Sequence, residues 1–203
     1  DDFDNAIRYN AEALELYKKL YGKDNVNYII ALEQQTENLL LGGSEEQFIK
    51  NLIEESESIT LFTQNNVLTY SDKERQMWWN EIRKFYQDLG NYVFEIEHKS
   101  DVLNLLYNGT LLSKGILLNI DKGTKEAIKN LKDNAIEDMY NQLQLYRKKR
   151  NDKINNLYAN ERLQNDIDLL EREILDNVKK HINIDNYYVT VDSIKTLLGP
   201  NDI

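Results

Sequence analysis

Apolar side chains recur every three or four residues along almost the whole chain, which is the spacing of one face of an α-helix. In the first segment, one such stripe contains Ala6, Tyr9, Ala13, Leu16, Tyr17 and Leu20. Strict alternation of apolar and polar residues is confined to 187–191, where a short extended piece is predicted. The pattern therefore predicts an all-α fold built from antiparallel helical hairpins.

Glycines and capping motifs mark the ends of the predicted helices in the first half of the chain. Gly22 ends the first helix, because glycine takes the positive φ of a helix C-terminus without strain. A second helix is predicted over about 26–41 and is followed by two glycines. The segments 44–47 (SEEQ) and 71–74 (SDKE) have the spacing of a capping box, in which two side chains each bind the other residue's backbone amide. Each box predicts the start of a helix.

Another helix is predicted over 102–118, with Ser100 as its cap and two glycines inside it. A glycine inside a helix costs up to about 1 kcal/mol relative to alanine, so its presence needs a reason. We expect Gly109 and Gly115 to mark either a close approach between two helices or a break in this helix.

From Thr124 onward the apolar seam becomes narrower and repeats at alternating spacings of three and four residues. Two such helices, with a short connection after Ala159-Asn160, predict an antiparallel, coiled-coil-like hairpin over about 124–182. A last short helix, capped by Asp192 or Ser193, is predicted to end at Leu198.

Composition and charge limit the classes of function. Hydrophobic residues make up 41% of the chain and charged residues 30%, which is enough to bury a core. The 35 acidic and 25 basic residues give a net charge of −10, which argues against nucleic acid or anionic lipid as a partner. The sequence contains no stretch of about eighteen uninterrupted apolar residues, so no membrane span is predicted. The sequence has no cysteine, which excludes disulfides, thiolate metal sites and a cysteine nucleophile within it and fits a cytoplasmic location.

The titratable residues predict no catalytic, cofactor or metal site. The two histidines, His98 and His181, lack the further convergent ligands that a metal needs. A glycine-rich phosphate loop, an HExxH motif and a serine nucleophile elbow are all absent from the sequence. Closely spaced acids occur at Glu54, Glu55, Glu57, Glu171 and Glu173. We interpret these acids as solvated helix faces, and the basic run 147–150 as a solubilising face or a partner contact.

Four aromatic residues are the candidates for binding a protein partner: Trp78, Trp79, Tyr9 and Tyr17. Adjacent residues on a helix diverge by about 100°, so the two tryptophans cannot both face one core. We expect one of them to be buried and the other to lie on an interaction surface, where tryptophan is a frequent anchor. For the tyrosines, the competing interpretation is ordinary packing between helices with the hydroxyl in water.

The first forty residues have the pattern of one helix–turn–helix unit. The segments 6–9 (AIRY) and 13–24 (ALELYKKLYGKD), together with Ala31-Leu32, resemble a tetratricopeptide repeat (TPR) of the kinesin-light-chain type. A single repeat cannot bury its own face, so such arrays normally contain three or more. We find no second copy, which suggests that this is the last repeat of an array and that the chain is a fragment.

A second resemblance covers the middle and the end of the chain. The segments 68–79 (LTYSDKERQMWW), 107–119 (YNGTLLSKGILLN) and 191–203 resemble the region that joins TPR arrays to CHAT domains in bacterial proteins. CHAT domains are caspase-like cysteine peptidases, so the resemblance implies a peptidase domain in cis beyond Ile203. The catalytic histidine and cysteine of that family would lie there, and no residue of this sequence takes their roles.

These resemblances imply a TPR-like region at 1–65 and a helical linker region at 66–203, which includes the hairpin over about 124–182. The implied function is a non-catalytic scaffold that binds a protein or peptide in a TPR-like groove and positions or restrains the downstream peptidase. One alternative is a stand-alone helical adaptor or self-association module with no attached enzyme. Another is an enzyme, which requires a concave pocket with at least two carboxyl groups of shifted pKa. The sequence leaves the oligomeric state open.

Overall fold

The computed structural model describes residues 2–94, 96–97, 99–152, 157–183 and 189–197. These residues contain eight α-helices and two short 3-10 helices, and no strand occurs among them, so the predicted all-α class is confirmed. The α-helices are α1 (Phe3–Tyr21), α2 (Val26–Gly42), α3 (Glu45–Asn66), α4 (Asp72–Tyr92), α5 (Lys99–Leu131), α6 (Asn134–Asp152), α7 (Leu157–Val178) and α8 (Val191–Leu197). The 3-10 helices are Val67–Thr69 and Lys179–His181.

The helices belong to two compact units. Unit 1 comprises the described residues within Asp1–Asn65, Glu81–Ser113 and Val189–Ile203. Unit 2 comprises those within Asn66–Asn80 and Lys114–Tyr188. The predicted linker region 66–203 differs from unit 2, because it also contains the parts of α4, α5 and α8 that belong to unit 1.

Unit 1 begins with the antiparallel hairpin that the sequence predicts. The side chain of Asn10 on α1 donates a hydrogen bond to the carbonyl of Ala31 on α2 over 2.9 Å, and Gln35 on α2 donates to the carbonyl of Ile7 over 3.3 Å. Apolar side chains fill the space between the two helices: Leu14, Tyr28, Ala31 and Leu32 are buried, with Tyr17 packed against them. Gly22 ends α1 with a φ of 82°, as expected for a glycine at a helix C-terminus.

Both predicted capping boxes are confirmed. The amide of Ser44 donates to Gln47 Oε1 over 3.2 Å, and the amide of Gln47 donates to Ser44 Oγ over 3.3 Å. The same exchange joins Ser71 and Glu74, with distances of 2.8 Å and 3.4 Å. Each pair satisfies two amides that have no partner within their helix, which is why α3 and α4 start where the sequence predicts.

The predicted break in the fifth helix is wrong, because α5 runs without interruption over 33 residues. A glycine at position 109 is required by packing instead. A Cβ atom built on Gly109 would lie 2.2 Å from Cε1 of Tyr86, whose ring is buried on α4. Of the two alternatives left open for Gly109, the close approach between helices therefore applies.

The hairpin of unit 2 is confirmed as α6 packed on α7, but its predicted limits are too wide. The segment 124–131 continues α5, and Lys132 then adopts a φ of 52°. Asp133 caps the new helix, because its Oδ1 accepts a hydrogen bond from the amide of Ala135 over 2.8 Å. The predicted connection after Ala159-Asn160 lies inside α7, and residues 153–156 are outside the described part of the chain.

The last described helix starts from a different cap than predicted. Thr190, rather than Asp192 or Ser193, precedes α8, and it exchanges hydrogen bonds with Ser193 over 2.8 Å and 3.1 Å. The amide of Val191 also donates to Oδ1 of Asn108 on α5 over 2.8 Å. Within the predicted extended piece, residues 187 and 188 are outside the described residues, and 189–190 have no regular structure. The predicted end at Leu198 is likewise outside them.

We expect Gly109→Ala to destabilise unit 1 by about 1–2 kcal/mol, because the Tyr86 ring must move in a packed core and this outweighs the gain in helix propensity. Gly90→Ala on α4 is the matched control, since no atom lies within 4 Å of its added Cβ. The control should gain up to about 1 kcal/mol. Urea unfolding followed by circular dichroism measures both, and equal effects of the two changes would contradict the close approach.

Candidate functional site: the outer face of the first hairpin

The α1–α2 hairpin carries apolar side chains on the side that faces away from its own core. Tyr9, Leu16 and Leu20 on α1 are 61%, 60% and 66% exposed, and with Ala13 they follow spacings of four, three and four residues. Ile30 and Leu41 on α2 are also exposed. We call this set the outer face: Tyr9, Ala13, Leu16, Leu20, Ile30 and Leu41. Large apolar groups clustered on one surface are typical of a protein-interaction site.

A groove lined mainly by polar side chains runs between the two helices within this face. Its lining consists of Ala6, Tyr9, Asn10, Gln34, Glu37 and Asn38. Gln34 and Glu37 stand between Ile30 and Leu41 at the same four, three, four spacing. The outer face therefore combines exposed apolar side chains with polar groups along the groove, which is the usual composition of a surface that binds another protein.

The outer face exists because α1 has more apolar surface than α2 covers. Leu14 and Tyr17 point to the hairpin core, whereas Leu16 and Leu20 lie on the adjoining side of the helix. The periodicity of the sequence puts Leu16, Tyr17 and Leu20 on one stripe and does not mark Leu16, Leu20, Ile30 or Leu41 as surface residues. The available signal was the width of the α1 stripe, which exceeds what a single neighbouring helix buries.

The four predicted partner-binding residues have different environments. Tyr9 lies on the outer face, with the Arg8 guanidinium 4.7 Å from its ring centre. Tyr17 is partly buried against the hairpin core. Trp78 and Trp79 belong to unit 2 and are both partly buried, so neither is the fully buried residue that we expected. A role in partner binding stays a prediction for all four.

One predicted surface acid, Glu55, lies instead in a buried polar network between α2 and α3. Glu55 is only 2% exposed, and its Oε2 lies 2.6 Å from Oγ1 of Thr36. Thr36 Oγ1 also lies 3.0 Å from the carbonyl of Leu32 and accepts a hydrogen bond from Asn51 over 2.8 Å. Glu54 is partly buried as well, whereas Glu57 is exposed as expected.

The hydrogen bonds of this network can be completed with a protonated Glu55. The Thr36 hydroxyl has one hydrogen and two acceptor positions, and Asn51 already occupies one of those positions. A neutral Glu55 donates to the second, which leaves the Thr36 hydrogen for the carbonyl of Leu32. The carbonyl of Leu32 also accepts a hydrogen bond from Asn51 over 2.9 Å, so it stays bonded when the Thr36 hydroxyl donates to Glu55 instead.

Burial raises the pKa of Glu55 from 4.5 to about 8, and the neighbouring acids Glu33, Asp88 and Glu37 add to this effect. The Thr36 hydroxyl opposes the increase but does not cancel it. The prediction that this acid is a solvated surface group is therefore wrong, because it belongs to the packing of α2 on α3.

A second buried carboxyl group, Glu171, organises the ion pairs of unit 2. Its Oε2 accepts a hydrogen bond from the amide of Asp72 over 2.7 Å, and its Oε1 accepts one from Nη2 of Arg147 over 2.8 Å. The same Nη2 donates to Asp72 Oδ2 over 2.8 Å. Burial raises the pKa of Glu171, although the Asp72 amide and the Arg147 guanidinium act in the opposite direction.

This cluster contradicts two further expectations for charged residues. Glu171 is only 4% exposed, so it does not belong to a solvated face. Arg147 is partly buried and joins α4 to α7, whereas Lys148 and Lys149 are exposed. A second pair, Arg172 with Glu74, links α7 to α4 over 2.6 Å. Within the basic run, Arg147 therefore has a structural role inside unit 2.

A small cavity borders this cluster and is lined in part by Arg75, Thr124, Tyr140, Arg147 and Glu171. Its volume of about 30 Å³ is enough for one or two water molecules and far below the roughly 300 Å³ of a typical ligand site. Glu171 is the carboxyl group with a raised pKa in its lining, and both of its oxygens already accept hydrogen bonds. The enzyme alternative requires two carboxyl groups of shifted pKa in one concave pocket.

Comparison of this chain with protein-family models, curated proteins and solved structures gives no match. Among the described residues, no three metal-ligating side chains lie close enough to hold an ion. His181 is exposed in a 3-10 helix, and His98 is outside the described residues. No helix in the described part of the chain is both long enough and apolar enough to cross a membrane.

We expect Glu55→Gln to stabilise unit 1 by about 3 kcal/mol at pH 7, because glutamine donates the same hydrogen bond without an ionised state. The carboxyl group keeps its proton in the folded protein up to about pH 8 but loses it near pH 4.5 when unfolded. Between these values, the stability of the wild type relative to Glu55→Gln should fall as the pH rises. Urea unfolding at pH 4, 7 and 9 measures the difference.

Glu57→Gln on the same helix is the control for that experiment, because Glu57 is exposed. Its effect should be small and nearly independent of pH. A constant difference between Glu55→Gln and the wild type from pH 4 to pH 9 would contradict a protonated Glu55.

We expect Arg147→Met to destabilise unit 2 by about 2 kcal/mol, because it leaves the buried charge of Glu171 with the Asp72 amide alone. Adding Glu171→Met should recover part of this loss, since the unpaired charge is then removed. The exposed neighbour change Lys148→Met should have almost no effect. Thermal unfolding combined with amide exchange in α7 measures these changes. Equal losses of stability for Arg147→Met and Lys148→Met would contradict the pairing of Arg147 with Glu171.

Proposed function

We propose that this chain is a non-catalytic protein-interaction scaffold that binds a partner through the outer face of the α1–α2 hairpin. The observation that supports this function is the set of exposed apolar side chains on one side of the hairpin, led by Tyr9, Leu16 and Leu20. These side chains lose contact with water when another protein surface covers them. A partner with a complementary apolar stripe gains that free energy on binding.

The way α3 packs on the hairpin supports the same function. Asn51 on α3 donates to the carbonyl of Leu32 over 2.9 Å, and Tyr28 on α2 donates to Glu54 on α3 over 2.6 Å. A helix thus already covers one side of the pair, and the outer face is a second side. In TPR-like repeats both sides of a helix pair take part in packing or in partner binding, because one pair cannot bury its own surface.

The TPR and CHAT resemblances extend this proposal. A cytoplasmic bacterial protein with this scaffold would hold a caspase-like peptidase domain after Ile203 and restrain it until a partner binds. The support comes from the segments 68–79 and 107–119, whose sequences resemble the region before CHAT domains. The intact mass and sequence of the natural gene product test it. An extension of about 150 residues or more, with a histidine and a cysteine that cleave a peptide, is the expected result.

A natural product that ends near Ile203 would contradict the peptidase arrangement. The stand-alone adaptor or self-association module would then be the remaining scaffold function. Both versions use the outer face, so the binding experiment below applies to either one.

Site-specific photo-crosslinking tests the outer face directly. We expect a photoreactive residue at Leu16 to form defined protein adducts in host cells, because this side chain is 60% exposed on the proposed binding surface. The same residue at Glu57, which is exposed on α3, is the matched control and should give none of these adducts. Mass spectrometry identifies the adducts, and Leu20→Glu should remove them by placing a charge in the contact. Identical adducts at both positions would contradict the proposed surface.

A further inference from the structure

We propose that the partner of the outer face is a second copy of the same chain, with α1 packed antiparallel against α1 of the other copy. This inference rests on the proposed function, since it names the partner of the same surface. Tyr9, Ala13, Leu16 and Leu20 supply the contact, and the order of their spacings decides the geometry.

The spacing of this stripe is the same in both directions. Four, three and four residues separate its members, so the reversed stripe has an identical pattern. An antiparallel pair related by a two-fold axis therefore places Tyr9 opposite Leu20 and Ala13 opposite Leu16. The small Ala13 leaves room for the larger Leu16, and alternation of three and four is the pattern of helices that interlock side by side.

The charges beside the stripe fit the same arrangement. Glu12 and Lys19 each come one residue before an apolar position of the stripe, so they lie on the same flank of α1. Both are exposed, and neither has an ion-pair partner among the described residues. In the antiparallel pair this flank faces itself, which brings Glu12 of each copy to Lys19 of the other. Two opposite-charge contacts result from one symmetry axis.

The competing partner for the α1 stripe is an amphipathic helix of a different protein. Such a helix has no built-in match to the spacing and the charges of α1. The second copy is favoured because one helix supplies both the palindromic apolar spacing and the complementary charges. The contact is only about three helical turns long, and small interfaces are weak. We therefore expect a reversible dimer with a dissociation constant in the micromolar range or above.

Sedimentation equilibrium of the whole chain over a wide concentration range tests the proposal. The wild type should show a monomer–dimer equilibrium, and Leu16→Glu should abolish it. Glu12→Lys should weaken the dimer about ten-fold, because it places lysine against lysine twice. Adding Lys19→Glu to this variant should restore the affinity, since the two charges are then exchanged and the net charge equals that of the wild type.

Glu57→Lys is the matched control, because it makes the same charge change at an exposed position on α3, away from the α1 stripe. Its dissociation constant should equal that of the wild type, and circular dichroism should show that every variant remains helical. A monomer at all concentrations, equal effects of Glu12→Lys and Glu57→Lys, or no recovery in the double variant would overturn the proposal. If the chain is a monomer but crosslinks at Leu16 to another protein, self-association fails while the scaffold function stands.

Discussion

Buried carboxyl groups that find hydrogen-bond partners on a neighbouring helix hold the helices of each unit in register. In unit 1, Glu55 on α3 reaches Thr36 on α2 over 2.6 Å. In unit 2, Glu171 on α7 reaches the amide of Asp72 at the start of α4 over 2.7 Å. An apolar contact tolerates a small shift along a helix, but a buried polar group that loses its partner destabilises the fold by about 1–3 kcal/mol. These pairs therefore select one alignment of helices.

The packing of α1 on α2 determines which side of α1 remains on the surface of the hairpin. When α2 covers Leu14 and Tyr17 on α1, the adjoining side with Leu16 and Leu20 faces outward. No change in the fold of the hairpin buries both sides, because a helix pair is two layers thick at most. The apolar surface that folding leaves exposed is the same surface that an interaction scaffold needs.

Two charged residues that the sequence pattern places on solvated faces, Arg147 and Glu55, have structural partners. Arg147 belongs to a cationic run, yet its guanidinium binds Asp72 and Glu171 within unit 2. Glu55 has a pKa raised to about 8, a feature common at catalytic sites, but its neighbours are the groups that align two helices. Shifted pKa values and charge clusters in this protein thus arise from packing, and the exposed apolar outer face carries the functional proposal.

The sequence by itself determined the helical class and several helix ends in the first half of the chain, because these depend on interactions within about four residues. The turn at Gly22 and the capping boxes at 44–47 and 71–74 are of this kind. Only the tertiary structure decided which side chains are buried. Glu55 and Arg147 are charged residues at helical spacing, and their burial depends on partners that are 19 to 75 residues away in the chain. Periodicity identifies the apolar side of a helix, but it does not show how much of that side a neighbour covers.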